Sequence, residues 1–324
     1  MLEPATTSGE DTMQKTPLYL QTDIGGDIDD FWALSMILRQ PWLDLRMILT
    51  DTGDTVYRAA ICAKLLQLAG RDDVVLGAGH VEWPSDNHRK SHLEWVRDYP
   101  LASYGNYTQN GVEKFVEMVS AEPGPVTLVA IGPAPSLAAA LRMAPEIAVK
   151  IHFVGMFGSV YRGYHGKETP DPEYNVKVEV EAAQTVFSAN WLSAAITPLD
   201  SCGLVVLDEE QYGRIAASDD PLAKAIVKVY DGWRRFYSDK TADEDFPPAE
   251  RSSVLFDTVA VHMATSFDYL DMEEIRLIVD DEGFTRPDPA GRPFMVAKGW
   301  KDLPGFERFL VDTLLGQRDA TQAS

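Results

Sequence analysis

The sequence predicts an α/β fold: a single domain with a mostly parallel central sheet, a Rossmann-like core, flanked by helices. From residue 18 to residue 79, short apolar segments alternate with helix-like segments in a β-α-β-α-β order, which is typical of parallel sheets. The chain has 324 residues, 45% of them hydrophobic, enough for a sizeable core. Polar residues follow several predicted strands, so we expect the active site at the C-terminal ends of the strands.

The apolar runs and the helical periodicity assign the elements in order. After the opening strand at residue 18, further strands are predicted at 43–50, 74–79, 126–131, 150–157 and 194–199, with a late hairpin formed by 275–280 and 292–297. Helices are predicted at 31–40, 56–70, 111–121, in an Ala/Leu-rich stretch that ends near Met143, and at 181–190, 208–240 and 301–316.

Two long segments lack a clear period. Residues 80–106 and 158–175 are rich in aromatic, charged and glycine residues, and loops of this length often form functional lids. We find no internal repeat and no low-complexity linker. The predicted organisation is an N-terminal tail at 1–16, one α/β domain at 17–318 and a C-terminal tail at 319–324.

Charge and cysteine content exclude several classes of function. The net charge is −21, and no basic patch suited to nucleic acid is visible. An anionic membrane surface would repel the chain, and no segment reaches the length of a transmembrane helix. Cys62 and Cys202 lie far apart in apolar runs, as expected of free thiols in a reducing compartment. The polar start lacks the apolar core of a signal peptide, so we expect a cytoplasmic protein.

Four aspartates fall within eight residues after the first strand: Asp23, Asp27, Asp29 and Asp30. Carboxylates this close repel one another, and a hard cation such as Ca²⁺ or Mg²⁺ is the usual reason for their proximity. A polar turn with an aspartate helix cap is the simpler alternative. The position at the end of a buried strand favours a metal or substrate site.

Other strand ends also carry polar groups, at 51–54, 131–133 and 173–175 and at Asp257. In a parallel sheet these loops converge in space. A cation bound by carboxylates and a backbone carbonyl would leave positions open for water and for substrate hydroxyls. Carboxylates and an Asn amide suit sugar hydroxyls, so the pattern indicates hydrolysis at the anomeric carbon of a sugar.

Five sequence blocks in order strengthen this interpretation: TDIGGDIDD at 22–30, LVAIGP at 128–133, PEYN at 172–175 followed by EAA at 181–183, TPLD at 197–200, and FDTVA at 256–260. They resemble motifs of the inosine/uridine-preferring nucleoside hydrolase superfamily, the calcium-dependent N-ribohydrolases. The resemblance spans roughly residues 18–264, and its first block is similar to a longer variant of the family's D-x-D-x-x-x-D-D.

The resemblance implies a Ca²⁺ site and a general base. Asp23, Asp30, Asp257 and the backbone carbonyl of Ile131 would bind the ion. Asp23 would also activate the metal-bound water. The reaction would cleave the N-glycosidic bond of a ribonucleoside or a related ribosyl compound through an oxocarbenium-like transition state, which nearby carboxylates stabilise.

The resemblance also implies substrate contacts. Asp29 and Asn175 would hold ribose hydroxyls, and Glu173 would reach the 5′-hydroxyl. Asp54 takes the place of a family asparagine and is assigned to substrate binding. Trp233, together with Tyr237, could stack on a nucleobase.

Departures from the family pattern leave several roles open. Gln21 replaces the first family Asp, Ser136 replaces an Asn, and Asp27 lies in the two extra residues of the longer loop, without an assigned role. Phe256 stands where many members carry the His that protonates the leaving base. Candidates for a substitute acid lie in the two irregular segments, and His165 is carried forward among them: His80, His88, Tyr161, Arg162, Tyr164 and His165.

Two alternatives remain beside the hydrolase. A non-catalytic sugar- or nucleoside-binding relative could keep the cation site despite Phe256. The other alternative is a Mg²⁺-dependent phosphohydrolase with Asp23 as nucleophile, which would require a D-x-D-x-T/V loop. This alternative is disfavoured because Gly25 occupies the position two residues after Asp23 and because the acidic cluster would repel phosphate. From the resemblance alone, we expect a homo-oligomer, a dimer or a tetramer, acting in purine or pyrimidine salvage.

Overall fold

A computed structural model describes residues 15–80, 89–238 and 247–317. Within them the strands form a single sheet in the order β4-β3-β2-β1-β5-β6-β7-β10-β8-β9. The strands are β1 (Thr16–Thr22), β2 (Leu43–Thr50), β3 (Val75–Ala78), β4 (Tyr107–Thr108), β5 (Val126–Ala130), β6 (Ile151–Met156), β7 (Ser193–Thr197), β8 (Leu270–Val279), β9 (Thr285–Pro287) and β10 (Arg292–Trp300).

The parallel part of the sheet confirms the predicted α/β fold. Strand β1 pairs in parallel with β2 on one side and with β5 on the other. The strand order therefore reverses next to β1, and such a reversal opens a crevice at the carboxyl ends of the strands. The loops after β1 and β5 meet there so closely that a Cβ on Gly132 would lie 2.6 Å from Asp23 Oδ1. Only glycine permits this approach.

Helices cover both faces of the sheet, and each face has its own hydrophobic core, one around Phe31 and Trp32 and the other around Phe115 and Phe153. The helices are α1 (Asp29–Leu38), α2 (Thr55–Leu68), α3 (Leu93–Val96), α4 (Gly111–Ala121), α5 (Pro135–Met143), α6 (Tyr174–Lys177), α7 (Val180–Ser188), α8 (Leu199–Cys202), α9 (Glu209–Ala216), α10 (Pro221–Ser238), α11 (Phe256–Met263) and α12 (Leu303–Leu314).

The stretch predicted as helical at 208–240 consists of two helices, α9 and α10, with a break between them. Pro221 begins α10, and Asp220 accepts hydrogen bonds from the N–H groups of Leu222 and Ala223, which caps the new helix. Residues 239 and 240 of that prediction lie outside the described residues.

The late hairpin is confirmed, since β10 pairs antiparallel with β8. The sequence prediction missed two short strands, β4 at one edge of the sheet and β9 at the other. Cys62 and Cys202 are buried free thiols. Among the described helices, none combines the length and the apolar character needed to cross a membrane.

Candidate active site

The loop after β1 turns sharply into helix α1. Gly25 has a φ of +110°, and a Cβ there would lie 2.6 Å from the Ile61 side chain, so the turn requires glycine. Asp29 and Asp30 occupy the first turn of α1, where the helix dipole favours negative charge. Thr22 donates a hydrogen bond to Asp30 and orients it.

Three of the acids converge although they come from distant parts of the chain. Asp257, in the first turn of α11, joins Asp29 and Asp30, and one carboxylate oxygen from each lies within 4.8 Å of the others. All three are buried, and burial together with mutual repulsion raises each pKa well above its ordinary value. An all-oxygen donor set with an excess of negative charge fits a hard divalent cation. We call Asp29, Asp30 and Asp257 the carboxylate triad.

Asp23 lies beside the triad and has its own cationic neighbour. Arg58 Nη2 is 3.7 Å from Asp23 Oδ2, while Arg58 Nε and Nη1 donate to the carbonyls of Thr52 and Ile24 at 2.8 and 2.9 Å. Burial raises the Asp23 pKa, and the positive charges of Arg58 and Arg89 oppose the rise. A carboxyl tuned upwards in this way is suited to accept a proton. Arg58 was not predicted as a site residue, since its only signal in the sequence is a basic residue in a largely apolar helix.

The acids open into a cavity of about 520 Å³. The carboxylate wall of this cavity consists of Asp23, Asp27, Asp29, Asp30 and Asp257. The aromatic wall consists of Tyr164, Trp233, Tyr237 and Phe256. The remaining lining residues are Gly26, Arg89, Ile131, Met156, Glu173, Tyr174 and Asn175.

Glu173 and Asn175 also line the cavity. Glu173 accepts hydrogen bonds from the N–H groups of Gly158 at 2.9 Å and Asn175 at 2.7 Å. Burial still raises its pKa to about 7. Asn175 Nδ2 donates to the Met156 carbonyl at 2.9 Å, so the amide is held in one orientation at the cavity edge.

The aromatic wall carries no histidine among its described residues. Trp233 stacks on Tyr230 with a centroid distance of 5.7 Å, and Tyr164 meets Phe256 edge-on at 6.5 Å. The Tyr237 hydroxyl donates to the Gly26 carbonyl at 3.3 Å and links this wall to the aspartate loop. These rings give the cavity an aromatic side, which suits a nucleobase.

The structure brings most of the predicted site residues together: Asp23, Asp27, Asp29, Asp30, Ile131, Glu173, Asn175, Trp233, Tyr237 and Asp257 all line this cavity. Their individual roles remain predictions. The triad does, however, group Asp29 with Asp30 and Asp257, where the resemblance implied Asp23 as the third carboxylate ligand.

Other predicted residues lie elsewhere. Asp54 caps α2 by accepting from the Tyr57 N–H and pairs with Lys90 at 2.6 Å, and it lines a neighbouring cavity instead. His165 is exposed, with a φ of +57°, and does not line the active-site cavity. The other acid candidates outside the cavity lining are His80, Tyr161 and Arg162, while His88 lies outside the described residues.

Gln21 and Ser136, the two further departures, share one support behind the site. Asp51 accepts hydrogen bonds from Gln21 Nε2 at 3.2 Å and from the Ser136 N–H at 3.1 Å. This contact ties the end of β2 to the start of α5. The substitutions therefore preserve a buried polar network at the strand ends.

The sheet is covered by helices on both faces, and the acids, including the carboxylate triad that could hold a metal ion, lie where the strand order reverses. This arrangement is typical of hydrolases that bind a small polar substrate at the strand ends. The sequence model of inosine-uridine preferring nucleoside hydrolases matches residues 18–300. The chain belongs to this family, and it is a ribonucleoside hydrolase, an enzyme that cleaves N-glycosidic bonds.

Several relatives are named pyrimidine-specific ribonucleoside hydrolase RihA. The protein of Shewanella sp. (strain MR-4) is 29% identical over 237 residues, which cover 69% of this chain and 71% of the relative. That of Escherichia coli (strain SMS-3-5 / SECEC) is 26% identical over 236 residues, covering 69% and 73%.

Solved structures confirm the fold. A purine-preferring ribonucleoside hydrolase from Gardnerella vaginalis superimposes with a TM-score of 0.73 at 20% identity, covering 93% of this chain and 98% of the other. A plant nucleoside hydrolase gives a TM-score of 0.74 at 18% identity, covering 93% and 99%.

Proposed function

We propose that the protein hydrolyses pyrimidine ribonucleosides in a Ca²⁺-dependent reaction, with Asp23 as general base. The observation that carries the proposal is the convergence of Asp29, Asp30 and Asp257 beside Asp23 on one wall of the cavity. The pyrimidine preference rests on the relatives, which are named pyrimidine-specific.

Asp30 and Asp257, with Asp29 or Asp23 and the Ile131 carbonyl, would hold the cation. When bound, Ca²⁺ would bring a water molecule and substrate hydroxyls into fixed positions and favour loss of a water proton. The identity of the ion is inferred from the all-oxygen donor set and from the flexibility of Ca²⁺ coordination, which tolerates irregular sites better than Mg²⁺ does.

The chain's own residues account for the remaining steps. Asp23 accepts the proton of the attacking water, and its partner Arg58 keeps it ionised for that task. Asn175 and Glu173 position the ribose hydroxyls, and the surrounding carboxylates stabilise positive charge on the ribosyl ring as the glycosidic bond breaks. Trp233 and Tyr237 offer aromatic faces on which the base can stack.

The test is release of free ribose from uridine, cytidine, inosine and adenosine, measured with added Ca²⁺ and with a chelator. We expect ribose from the pyrimidine nucleosides only when Ca²⁺ is present. Binding of ribose and Ca²⁺ without any turnover would support the non-catalytic alternative. Phosphate release from p-nitrophenyl phosphate with Mg²⁺ would support the phosphohydrolase, which the family assignment disfavours.

We further propose that the enzyme works in the cytoplasm, in nucleoside salvage, and as a homo-oligomer. Support comes from the resemblance and from a composition typical of proteins in a reducing compartment. Light scattering in solution tests the dimer or tetramer directly, and a monomeric mass would overturn that expectation.

A further inference from the structure

Tyr164 differs from the other described candidates for a substitute acid, because its side chain lines the active-site cavity. Its ring meets Phe256 edge-on, with 6.5 Å between the ring centroids. Phe256 occupies the position at which many family members carry the histidine that protonates the leaving base. The Tyr164 ring therefore lies beside the place from which that histidine would act.

The backbone that carries Tyr164 is held firmly on both sides of the ring. The buried carboxylate of Asp200 accepts hydrogen bonds from the three consecutive N–H groups of residues 160–162, at 2.8 to 3.1 Å. Asp171 accepts the N–H of Tyr164 itself at 3.0 Å. The segment that the sequence predicts as a functional lid is thus pinned at this point, and the ring is in place before a substrate arrives.

The Tyr164 hydroxyl is fixed as an acceptor and keeps its proton for another partner. It accepts a hydrogen bond from the Tyr174 N–H at 2.9 Å, which uses a lone pair and leaves the O–H able to donate. Among the residues that the structure describes, none accepts this proton. Burial and the charge of Glu173 raise the Tyr164 pKa, so the phenol stays protonated at neutral pH.

A donor of this kind suits the departure of a neutral pyrimidine. When the glycosidic bond breaks, the electron pair goes to the base, and the negative charge spreads onto the carbonyl oxygens of the ring. A fixed hydrogen-bond donor stabilises charge that develops in the transition state. A phenol that holds its proton firmly can do so by hydrogen bonding alone, without transferring the proton.

We propose that Tyr164 is a catalytic residue that donates a hydrogen bond to a carbonyl oxygen of the departing pyrimidine, in a reaction that lacks a histidine at position 256. The inference rests on the proposed function, because it takes the leaving group to be a pyrimidine base. It adds a residue of the aromatic wall to the catalytic groups of the carboxylate wall.

The experiment compares two substrates of the full-length, Ca²⁺-loaded protein. For uridine, Tyr164→Phe should lower kcat/KM by about 10- to 100-fold, the effect of one hydrogen bond to a charged group. For p-nitrophenyl riboside, whose nitrophenolate departs without help, the change should be less than about threefold. Tyr161→Phe, at an exposed position of the same loop outside the cavity lining, should leave both rates unchanged.

The ratio of the two losses is the informative quantity, because a distorted cavity would slow both substrates alike. Equal losses, or full uridine turnover by Tyr164→Phe, would overturn the role of Tyr164. Turnover of uridine by the wild type, together with equal losses in the variant, refutes only this role. Failure of the wild type to cleave either substrate refutes the proposed function and this inference with it.

A second measurement needs no variant. A crystal structure of the Ca²⁺-loaded protein with ribose and uracil should place the Tyr164 hydroxyl within roughly 3.2 Å of a uracil carbonyl oxygen. A separation of more than about 4 Å from both uracil oxygens would overturn the proposal, because no hydrogen bond forms at that distance.

Discussion

The carboxylate wall and the aromatic wall of the active-site cavity are built in different ways. The carboxylate wall comes from strand ends and first turns of helices, and Thr22 and Arg58 hold its members in place. The aromatic wall comes from a long loop, from helix α10 and from the first residue of α11. Phe256 and Asp257 are neighbours at the start of α11, yet each joins a different wall. The need for charged groups at fixed positions constrains the residues of the carboxylate wall tightly, whereas the residues of the aromatic wall can change with the leaving group of the substrate.

The largest expected effect is that of Asp23→Asn on the carboxylate wall. The amide keeps the shape but cannot accept the water proton, so kcat should fall by roughly 10²- to 10⁴-fold. Ribose release and thermal unfolding measure activity and folding separately. The control, Asp271→Asn at an exposed position, should behave as wild type. Near-normal turnover by Asp23→Asn would remove Asp23 as the base.

Arg58→Met removes the support behind the carboxylate wall. It leaves Asp23 without its cation and the carbonyls of Thr52 and Ile24 without a donor, so urea unfolding should show a loss of roughly 3 kcal/mol. The acid limb of the pH–rate profile should also move to higher pH, because Arg58 lowers the Asp23 pKa.

The matched control is Arg214→Met, which breaks a half-exposed pair with Asp312 and should cost less than about 1 kcal/mol. Equal losses for the two arginine variants would show that Arg58 is an ordinary surface contact and would weaken its assignment to Asp23.

Phe256→His tests whether the aromatic wall limits the choice of leaving group. A histidine there would face the cavity and could protonate a departing purine, so inosine hydrolysis should rise by about tenfold and uridine hydrolysis by less. Phe256→Leu controls for the loss of the ring. An equal gain with leucine would attribute the effect to space and not to proton donation.

The smallest effect concerns pH and the segment behind the aspartate loop. The His92 N–H donates to the Tyr57 hydroxyl, and neighbouring Ser91 donates to the Gly25 and Gly26 carbonyls. Burial lowers the His92 pKa to about 3, so the unfolded chain binds more protons than the folded one between that value and an ordinary pKa near 6.5. The neutral form of His92 therefore contributes its full share to the free energy of unfolding above pH 6.5, and this contribution is lost as the pH falls.

His92→Gln should remove this loss. The difference in unfolding free energy between wild type and variant should change by about 1.4 kcal/mol per pH unit between roughly pH 6 and pH 4. The carboxylates whose pKa is raised in the folded chain make it more stable as the pH falls. Because wild type and variant share these carboxylates, their contribution cancels when the two unfolding free energies are subtracted. His152→Gln, at an exposed ring, is the control. Parallel curves for wild type and His92→Gln would contradict the prediction.

Sequence reasoning predicted the fold well and the site in part. The strands at 43–50 and 126–131 and the hairpin were found because apolar runs and their breaks are local properties. The break between α9 and α10 was missed, although Pro221 marked the place. Asp54 was predicted as a substrate contact from the resemblance, but in the folded chain it caps α2 and lines the neighbouring cavity.

The sequence by itself determined the α/β class, the place of the site at the end of β1 and the acid-rich chemistry there. These depend on residues close together in the chain. The tertiary structure alone decided that Asp29 groups with Asp30 and Asp257, that Arg58 pairs with Asp23, and that a second cavity with several basic side chains adjoins the acidic one. Each of those contacts depends on how strands and helices pack across the switch point, and local patterns carry no information about that geometry.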